Sequence, residues 1–327
     1  MAEVIVLNDQ DVEKLVSFEE NLKLVEQAFA DFSRGKSHVF PVIREKIAKQ
    51  QGIFGVKSGY LETQNVLGFK AGGFWSGNKD RGLASHQSVM VLFDSSTGEP
   101  SAFVAANYVT QIRTAAVGAI GCKYLARPAS RVLAVIGAGQ QGRNQLAATL
   151  KVMPSFQEVR IYDQDRAMAT ALAKDVARYI PKVVTEKEPR PACAEADVIV
   201  TAASSYQAIV LAEWIRPGTH INAVGTDTRG KQELDPEIFR RAKLVVDNIS
   251  QCLYLGESQH AYDAGIITRE SIYAEIGEII SGMKPGRTTP DEITLLDTTG
   301  VAIQDLATAG YAVDQARKKG LGTRVWL

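Results

Sequence analysis

The sequence lacks several features that would assign it to a specialised class of protein. It contains few cysteines, three in 327 residues, and its 37 basic side chains are matched by 37 acidic ones. Such a small, odd number of cysteines does not provide a disulfide framework, so we expect a reducing compartment. A net charge of zero gives no electrostatic reason to bind nucleic acid or an anionic membrane, and neither partner is expected.

Long apolar runs and metal-ligand patterns are missing as well. No run of about 18 apolar residues occurs, and the N-terminal segment has neither the basic start nor the apolar core of a signal peptide. We therefore expect a cytoplasmic protein without a membrane segment. No metal site is expected, because no histidine stands at metal-ligand spacing from another histidine or a cysteine; the histidines are His38, His86, His220 and His260.

The chain length predicts two domains at roughly 100–200 residues each. Residues 11–34 carry apolar side chains at helical spacing. Short segments rich in β-branched and aromatic residues follow, separated by turn residues: Phe40–Ile47, Ile53–Tyr60, Val66–Trp75 and Ser88–Asp94. Because no long helix separates these segments, they predict a mostly antiparallel β (α+β) domain over residues 1–119.

The pattern changes to alternating strands and helices in the second part of the chain. A helix over Thr114–Leu125 precedes predicted strands at 132–137, 158–163, 197–202, 219–224, 243–247 and 293–297, with helices at 140–151 and 165–179. Such alternation predicts a parallel, doubly wound Rossmann sheet over residues 120–300, and hence an α/β protein. The final helix, 298–319, is expected to pack on the first domain, so residues 301–327 are assigned there.

A G-x-G-x-x-G motif follows the segment Val132–Ile136 and opens a helix. In dinucleotide-binding domains the first glycine makes a tight turn, the second lets the backbone approach a pyrophosphate, and the third allows close helix–strand packing. The positive end of the helix favours phosphate. The motif predicts a dinucleotide site formed by Gly137, Gly139, Gln140, Gln141 and Gly142.

An acidic residue is expected about 20 residues beyond such a motif, and Asp163 occupies that position. A carboxylate there accepts hydrogen bonds from ribose hydroxyls and repels a 2′-phosphate, so NAD (NADH) is predicted and NADP is disfavoured. Arg166 lies close by and weakens this preference. The alternative interpretation is that the glycines only shape a turn and that Asp163 only caps the helix beginning near Asp165.

Around these glycines, further fragments appear in a characteristic order. Together they resemble the ornithine cyclodeaminase/μ-crystallin family, which includes alanine dehydrogenases, ketimine reductases and related imino-acid reductases. The fragments are Pro41-x-x-Arg44, Gly68-Phe-Lys70, Leu92-Phe-Asp94-x-x-x-Gly98, Arg113-Thr114-Ala115-Ala116, Gly225-x-Asp227-x-x-x-Lys231-x-Glu233-Leu234 and Thr299-Gly300-Val-Ala-Ile-Gln304-Asp305.

The resemblance implies a role for each matching residue. Arg44 and Arg113 would hold the α-carboxylate of an amino or imino acid, since a guanidinium offers a planar fork of donors. Lys70 would lie beside the reacting carbon, and Asp227 would act as general acid/base near the substrate nitrogen. Arg113, Asp227 and Thr114, with the N-terminus of the helix that Thr114 begins, are also expected to contact the cofactor. For Asp305, helix capping and a contact with nicotinamide both stay open.

The same resemblance implies a homodimer and an NAD-dependent imino-acid reductase, or an amino-acid dehydrogenase in reverse. Two alternatives remain. Ornithine cyclodeaminases convert ornithine to proline and ammonia with bound NAD, and the μ-crystallin branch shows that the fold can serve as a ligand-binding protein without catalysis.

One predicted hairpin bears on the substrate. If Ile53–Tyr60 pairs with Val66–Trp75 through a turn at Thr63-Gln64 or at Glu62–Asn65, then Lys57 lies opposite Lys70. Directly opposed like charges destabilise a sheet unless an anion lies between them or one amine is neutral. The family more often has an apolar residue, typically Met, where Lys57 stands.

This departure predicts a substrate with two carboxylates. A pocket with several cations is unfavourable for the cationic side chain of ornithine and favourable for a dianion. Iminosuccinate, reduced to aspartate, is the expected example. The predicted substrate-binding set is Arg44, Lys57, Lys70, His86 and Arg113. A register error of one residue would remove the argument.

Overall fold

The computed structural model describes residues 2–327. Its strands are β1 (Glu3–Leu7), β2 (Ser37–Val39), β3 (Ile43–Ile47), β4 (Gly52–Leu61), β5 (Val66–Trp75), β6 (His86–Phe93), β7 (Pro100–Ala105), β8 (Val132–Ile136), β9 (Glu158–Tyr162), β10 (Lys182–Thr185), β11 (Val198–Thr201), β12 (Tyr206–Val210), β13 (His220–Ala223), β14 (Gln232–Leu234), β15 (Ala242–Val246), β16 (Ala274–Glu275), β17 (Ile293–Asp297) and β18 (Thr323–Trp326). Its α-helices are α1 (Asp9–Leu15), α2 (Phe18–Ser33), α3 (Asn107–Leu125), α4 (Gln140–Val152), α5 (Arg166–Val176), α6 (Pro189–Cys193), α7 (Ile249–Leu255), α8 (Ser258–Asp263), α9 (Ile276–Ile280) and α10 (Ala302–Lys319).

The chain divides into two compact units. The first extends through Arg113 and is joined by Val301–Leu327, whereas the second is Thr114–Gly300. The boundary therefore falls inside helix α3, which begins at Asn107 and not at Thr114 as the sequence suggested.

The first unit contains a sheet that is mostly antiparallel. Over the described residues its order is β18-β1-β7-β6-β5-β4-β2, with β3 also paired to β4. The one parallel pairing in this described sheet joins β1 to β7, so the predicted antiparallel character is confirmed. Helix α10 packs on β4 and β5 of this sheet and on α2.

The predicted boundaries were wrong at two places in the first unit. The helix predicted over 11–34 is two helices, because Ser17 caps α2: its hydroxyl accepts from the Glu20 N–H, and the Glu20 carboxylate accepts from the Ser17 N–H. The strand predicted over Phe40–Ile47 is divided into β2 and β3. Pro41 lies in the gap and has no N–H to donate to a ladder.

The second unit is the predicted parallel sheet. In the part of the chain described, its order is β10-β9-β8-β11-β13-β17-β15-β16, and every pairing is parallel. The reversal of strand order beside β8 defines the point at which doubly wound folds bind ligands. Buried aliphatic side chains fill the layers on the sheet, among them Ile136, Ile199, Ile221 and Leu295.

The final helix begins at Ala302, later than the predicted residue 298. The reason is local: the N–H groups of Thr299 and Gly300 donate to the Asp247 carboxylate, at 2.9 and 2.7 Å, and Gly300 has a φ of 76°. These contacts hold the segment before α10 in a non-helical conformation. The helix ends at Lys319 and is capped by Gly320, whose φ of 65° is the left-handed conformation of a C-terminal cap.

Candidate active site

The register of the β4–β5 hairpin places two lysines side by side. Leu61 pairs with Val66 across the loop Glu62–Asn65, and Lys57 pairs directly with Lys70. The predicted register is therefore confirmed, with the four-residue turn. Both lysines are buried, with 8% and 7% of their surface exposed, so their opposed ammonium groups need a counter-charge close by.

Helix α10 supplies that counter-charge through Asp305. The Nζ atom of Lys70 donates to Asp305 Oδ1 at 2.7 Å and to Thr110 Oγ1 at 3.2 Å. Arg113 donates from Nε to the same Oδ1 at 3.0 Å, and from Nη1 to Gln304 Oε1 at 2.9 Å. Asp305 thus neither caps the helix nor is exposed: it is a buried carboxylate shared by two cations.

The burial and charges in this cluster shift the ionisation of Lys70. Burial, together with the nearby charges of Arg113 and Arg44, lowers the pKa of Lys70 to about 8, although the Asp305 carboxylate acts in the opposite direction. Burial alone would raise the pKa of Asp305, but the charges of Arg113 and Lys70 hold it below its usual value. A lysine with a pKa near 8 can exchange a proton near neutral pH, as a group in proton transfer requires.

Two other predicted substrate residues lie on the same face of the sheet as Lys70. Arg44 pairs with Gly55, and His86 pairs with Phe74. Because side chains alternate between faces along a strand, the pairings place Arg44, Lys57, Lys70 and His86 on one face. Arg44 is close enough for its charge to act on Lys70, whereas His86 lies farther along its strand.

The glycine motif forms the predicted turn between β8 and α4. Gly137 has a φ of 101°, and a Cβ atom added there would lie 2.6 Å from the Ala202 carbonyl oxygen. A Cβ on Gly142 would lie 1.8 Å from the Gly137 carbonyl oxygen, whereas one on Gly139 would meet open space. Packing therefore requires glycine at 137 and 142. The open space at Gly139 leaves the first turn of α4 accessible to a ligand such as a pyrophosphate.

Gln140 and Gln141 follow Gly139 in the first turn of α4. Gln140 bonds to Asn144 on the next turn, at 3.1 Å. Within the described residues, Gln141 has a buried Oε1 atom without a hydrogen-bond partner. Thr114, predicted as a cofactor contact, accepts at its carbonyl a hydrogen bond of 2.7 Å from Gln145, a residue that sequence reasoning missed.

Asp163 lies where the motif predicts and also supports the glycine loop. Its Oδ2 accepts from the Ala138 N–H at 2.6 Å, and its Oδ1 accepts from the Asp165 N–H at 2.8 Å. The cap of helix α5 is Asp165, and Arg166 is the exposed first residue of that helix. Each Asp163 oxygen retains a lone pair that could accept from a ribose hydroxyl.

Asp227 follows β13 at the carboxyl end of the parallel sheet. Lys231 donates to its Oδ1 at 2.9 Å, and the Thr228 hydroxyl donates to the same atom at 3.1 Å. The side chain is 30% exposed, so it is accessible to a ligand.

Two buried glutamates, to which the sequence assigned no role, hold backbone segments of the second unit. Glu233 Oε1 accepts from the N–H groups of Ala203 and Ser204, both at 2.6 Å. Glu257 accepts from the N–H groups of Glu233 and Leu234, both at 2.7 Å, and from the Thr226 hydroxyl. Burial and the charge of Glu233 raise the pKa of Glu257 to about 8. Glu233 is part of a quoted fragment, but nothing in the sequence pointed to Glu257.

Two expected absences concern metals and membranes. Over residues 2–327, no group of three or more His, Cys, Asp or Glu side chains could hold a metal ion. None of the helices in that range combines the length and the apolar character needed to cross a membrane.

Comparison with known proteins gives consistent matches along the chain. The model of the ornithine cyclodeaminase/mu-crystallin family matches residues 2–320. The iminosuccinate reductase of Paracoccus denitrificans is 40% identical over 98% of this chain and 99% of its own.

Two solved structures share the whole fold. An archaeal alanine dehydrogenase dimer with bound NAD has a TM-score of 0.94 and 37% identity, covering 99% of each chain. The Thermococcus litoralis Δ1-pyrroline-2-carboxylate reductase, in complex with NADH and L-proline, also has a TM-score of 0.94, with 34% identity over 98% of this chain and 100% of its own. The resemblance inferred from the sequence fragments is thereby confirmed: the chain belongs to the ornithine cyclodeaminase/mu-crystallin family.

Proposed function

We propose that this protein is an NAD-dependent oxidoreductase that reduces the C=N bond of a small α-imino acid. In the reverse direction it would be an amino-acid dehydrogenase. The family relationship supports this reaction class, since its relatives include an iminosuccinate reductase, an alanine dehydrogenase and a pyrroline-2-carboxylate reductase.

The glycine turn and Asp163 fit a dinucleotide. The open space at Gly139 and the first turn of α4 would accommodate the pyrophosphate, with Arg113, Thr114 and Asp227 as further contacts. Asp163 would accept from the ribose hydroxyls, which favours NAD over NADP, and Arg166 would lie beside the ribose. When bound, the cofactor supplies the hydride.

The preferred substrate is a dicarboxylic imine such as iminosuccinate, and the observation that carries this choice is the cationic cluster. We define the cationic cluster as Arg44, Lys57, Lys70 and Arg113 with the carboxylate of Asp305. When all four basic side chains of the cluster are charged, the carboxylate of Asp305 offsets one charge and three positive charges remain in excess. Two substrate carboxylates offset most of this excess, whereas the second amine of ornithine would add to it.

Each proposed site residue has a distinct role, either in binding the substrate or in proton transfer. Arg44 and Arg113 hold the α-carboxylate, and Lys57 contributes attraction for the distal one. Lys70 holds the substrate, and either Lys70 or Asp227, as the general acid/base, supplies the single proton that the imine nitrogen takes up. His86, the first residue of β6, is a further candidate on the same face of the sheet.

A homodimer formed through the first unit is also proposed. The sheet face opposite Lys70 carries Phe69, Val91 and Phe103 in adjacent paired positions. Phe103 is 45% exposed and Ile43 is 55% exposed, so this apolar face offers surface for a second copy. A Phe103→Glu variant should elute as a monomer in light-scattering chromatography, whereas a monomeric wild type would contradict the proposal. The three free, buried cysteines support a cytoplasmic location.

The experiment that tests the function follows NADH absorbance with ammonium and either oxaloacetate or pyruvate as the source of the imine. We expect consumption of NADH that is selective for oxaloacetate. A parallel assay with ornithine and NAD measures proline and ammonia. Proline formation without net NADH change would instead establish a cyclodeaminase, and no turnover of any imino acid would favour a ligand-binding protein.

A further inference from the structure

One oxygen atom of Asp305 holds two of the cations expected to bind substrate, Lys70 and Arg113. Its Oδ1 lies 2.7 Å from Lys70 Nζ and 3.0 Å from Arg113 Nε. Asp305 is fully buried, and among the described residues its Oδ2 has no hydrogen-bond partner. A buried carboxylate with one unpaired oxygen is costly, and such an atom in a native structure calls for a functional explanation.

The contacts also fix the direction in which both cations extend. Gln304 and Asp305 are consecutive residues of α10, and each accepts a hydrogen bond from a different nitrogen of the Arg113 guanidinium. These two bonds fix the orientation of the guanidinium plane. Asp305 and Thr110 accept two of the three protons of the Lys70 ammonium. The remaining Lys70 proton therefore has a restricted direction, as pre-organised binding of a substrate requires.

The charge of Asp305 opposes the burial and the nearby positive charges that act on Lys70. Burial, Arg113 and Arg44 all favour the neutral amine, and Asp305 is the nearby anion that favours the ammonium. Without this carboxylate, Lys70 would lose its proton at a lower pH. It could then neither attract a carboxylate nor supply a proton to nitrogen at neutral pH.

We propose that Asp305 is a positioning residue that keeps Lys70 in its charged form and orients Lys70 and Arg113 toward the substrate. The consequence for catalysis rests on the proposed function, because it assumes that an imino acid binds these two cations. The control of Lys70 by Asp305 does not depend on any substrate and can be tested in the protein alone.

The direct test is an NMR titration of lysines labelled with carbon-13 at Cε, without substrate or cofactor. The Lys70 signal is identified by its loss in a Lys70→Met variant. We expect the Asp305→Asn substitution to lower the titration midpoint of Lys70 by about one to three pH units. Asp305→Glu, which retains the charge, should keep the Lys70 midpoint close to its wild-type value. An unchanged midpoint in folded Asp305→Asn would overturn the proposal.

Two further variants keep this test decisive. Asp31→Asn is the matched control, because Asp31 is a buried aspartate of the same unit that bonds to Gln27 and Thr63. It should leave the Lys70 midpoint unchanged, and an equal shift there would contradict the specific role of Asp305. If Asp305→Asn does not fold, Arg113→Gln gives the opposite test: removing a like charge should raise the midpoint, and no rise would refute the electrostatic argument.

The kinetic consequence is a displaced pH profile. In Asp305→Asn, the alkaline limb of kcat/KM should move to lower pH by the same interval as the NMR midpoint, with KM for the imine raised. A merely structural defect would lower kcat/KM equally at all pH values, and that result would contradict the positioning role. If wild type reduces no imino acid, the proposed function fails while the NMR result still decides the Asp305 proposal.

Discussion

The two units bury charge in opposite ways. In the first, the buried cations Lys70 and Arg113 share one carboxylate, Asp305, whose second oxygen has no hydrogen-bond partner among the described residues. In the second, carboxylates predominate, and backbone N–H groups satisfy them: Asp297 accepts from the N–H groups of Glu257 and Ser258 at 3.0 and 2.9 Å. Asp247 and Asp163 accept from backbone N–H groups in the same manner.

This difference separates a region arranged for a ligand from one arranged for support. Carboxyl groups that receive several backbone N–H bonds have their hydrogen-bonding capacity satisfied inside the fold, so they hold loops in place. The cationic cluster contains one carboxylate for four basic side chains, so we expect an anionic substrate to bind there. The unit with unbalanced charge is therefore the one that we expect to select the substrate.

The largest effect should follow from removing Lys70. Lys70→Met deletes both a substrate-binding cation and a proton donor, and we expect kcat/KM to fall by roughly 10²–10⁴-fold. Fluorescence titration should show NADH binding little changed. The exposed Lys187→Met variant serves as the control; retained activity in Lys70→Met would remove the central residue of the proposal.

Lys57 gives a more selective change. Lys57→Met removes one of the two opposed ammonium groups, so the attraction for a second carboxylate decreases. We expect the ratio of kcat/KM for oxaloacetate over pyruvate, each with ammonium, to fall by roughly 10- to 100-fold. A ratio equal to that of wild type would show that Lys57 does not read the second carboxylate.

A substitution of Asp163 tests one of the carboxylates of the second unit that accept hydrogen bonds from the backbone. Asp163→Asn replaces an acceptor of the Ala138 N–H by a group that can present an NH2, and it removes the charge that repels a 2′-phosphate. We expect NADH to bind about tenfold more weakly and NADPH to bind more tightly than to wild type. Stopped-flow fluorescence with both cofactors measures this; unaltered affinity for both would exclude Asp163 from the cofactor site.

The smallest effect concerns stability. Since the folded state raises the pKa of Glu257 to about 8 from 4.5, the folded protein binds more protons between these values. The contribution of Glu257 to the free energy of unfolding should therefore be highest below about pH 4.5 and should decrease as the pH rises toward 8. In wild type, this effect should lower Tm by about 2–4 °C per pH unit over this range, and Glu257→Gln should reduce that dependence of Tm on pH. A slope identical to wild type would mean that Glu257 does not retain the proton.

Local patterns in the sequence were sufficient for several parts of the fold. The lysine pair followed from strand alternation and a short turn, because these alone fix the register of a hairpin. The glycine turn and Asp163 followed from a motif with a defined geometry. The break at Ser17 was missed, although Ser17 and Glu20 have the spacing of a capping box.

Long-range partners could not be predicted from the sequence. Lys70 and Asp305 are 235 residues apart in the chain, and only the packing of α10 on β5 brings them together. Glu257 likewise contacts the Glu233 backbone across 24 residues, and an isolated glutamate near a short helix gives no pattern. Helix-capping rules therefore led to a wrong alternative for Asp305, because they consider the helix alone.

The most direct test of the cationic cluster uses ligands that cannot react. Succinate and propionate differ by one carboxylate, and each can be measured as a competitive inhibitor of imine reduction at fixed NADH. We expect succinate to bind at least about tenfold more tightly than propionate, with the difference reduced by Lys57→Met and by high salt. Equal inhibition by the two acids in wild type would contradict selection of a dianion by this cluster.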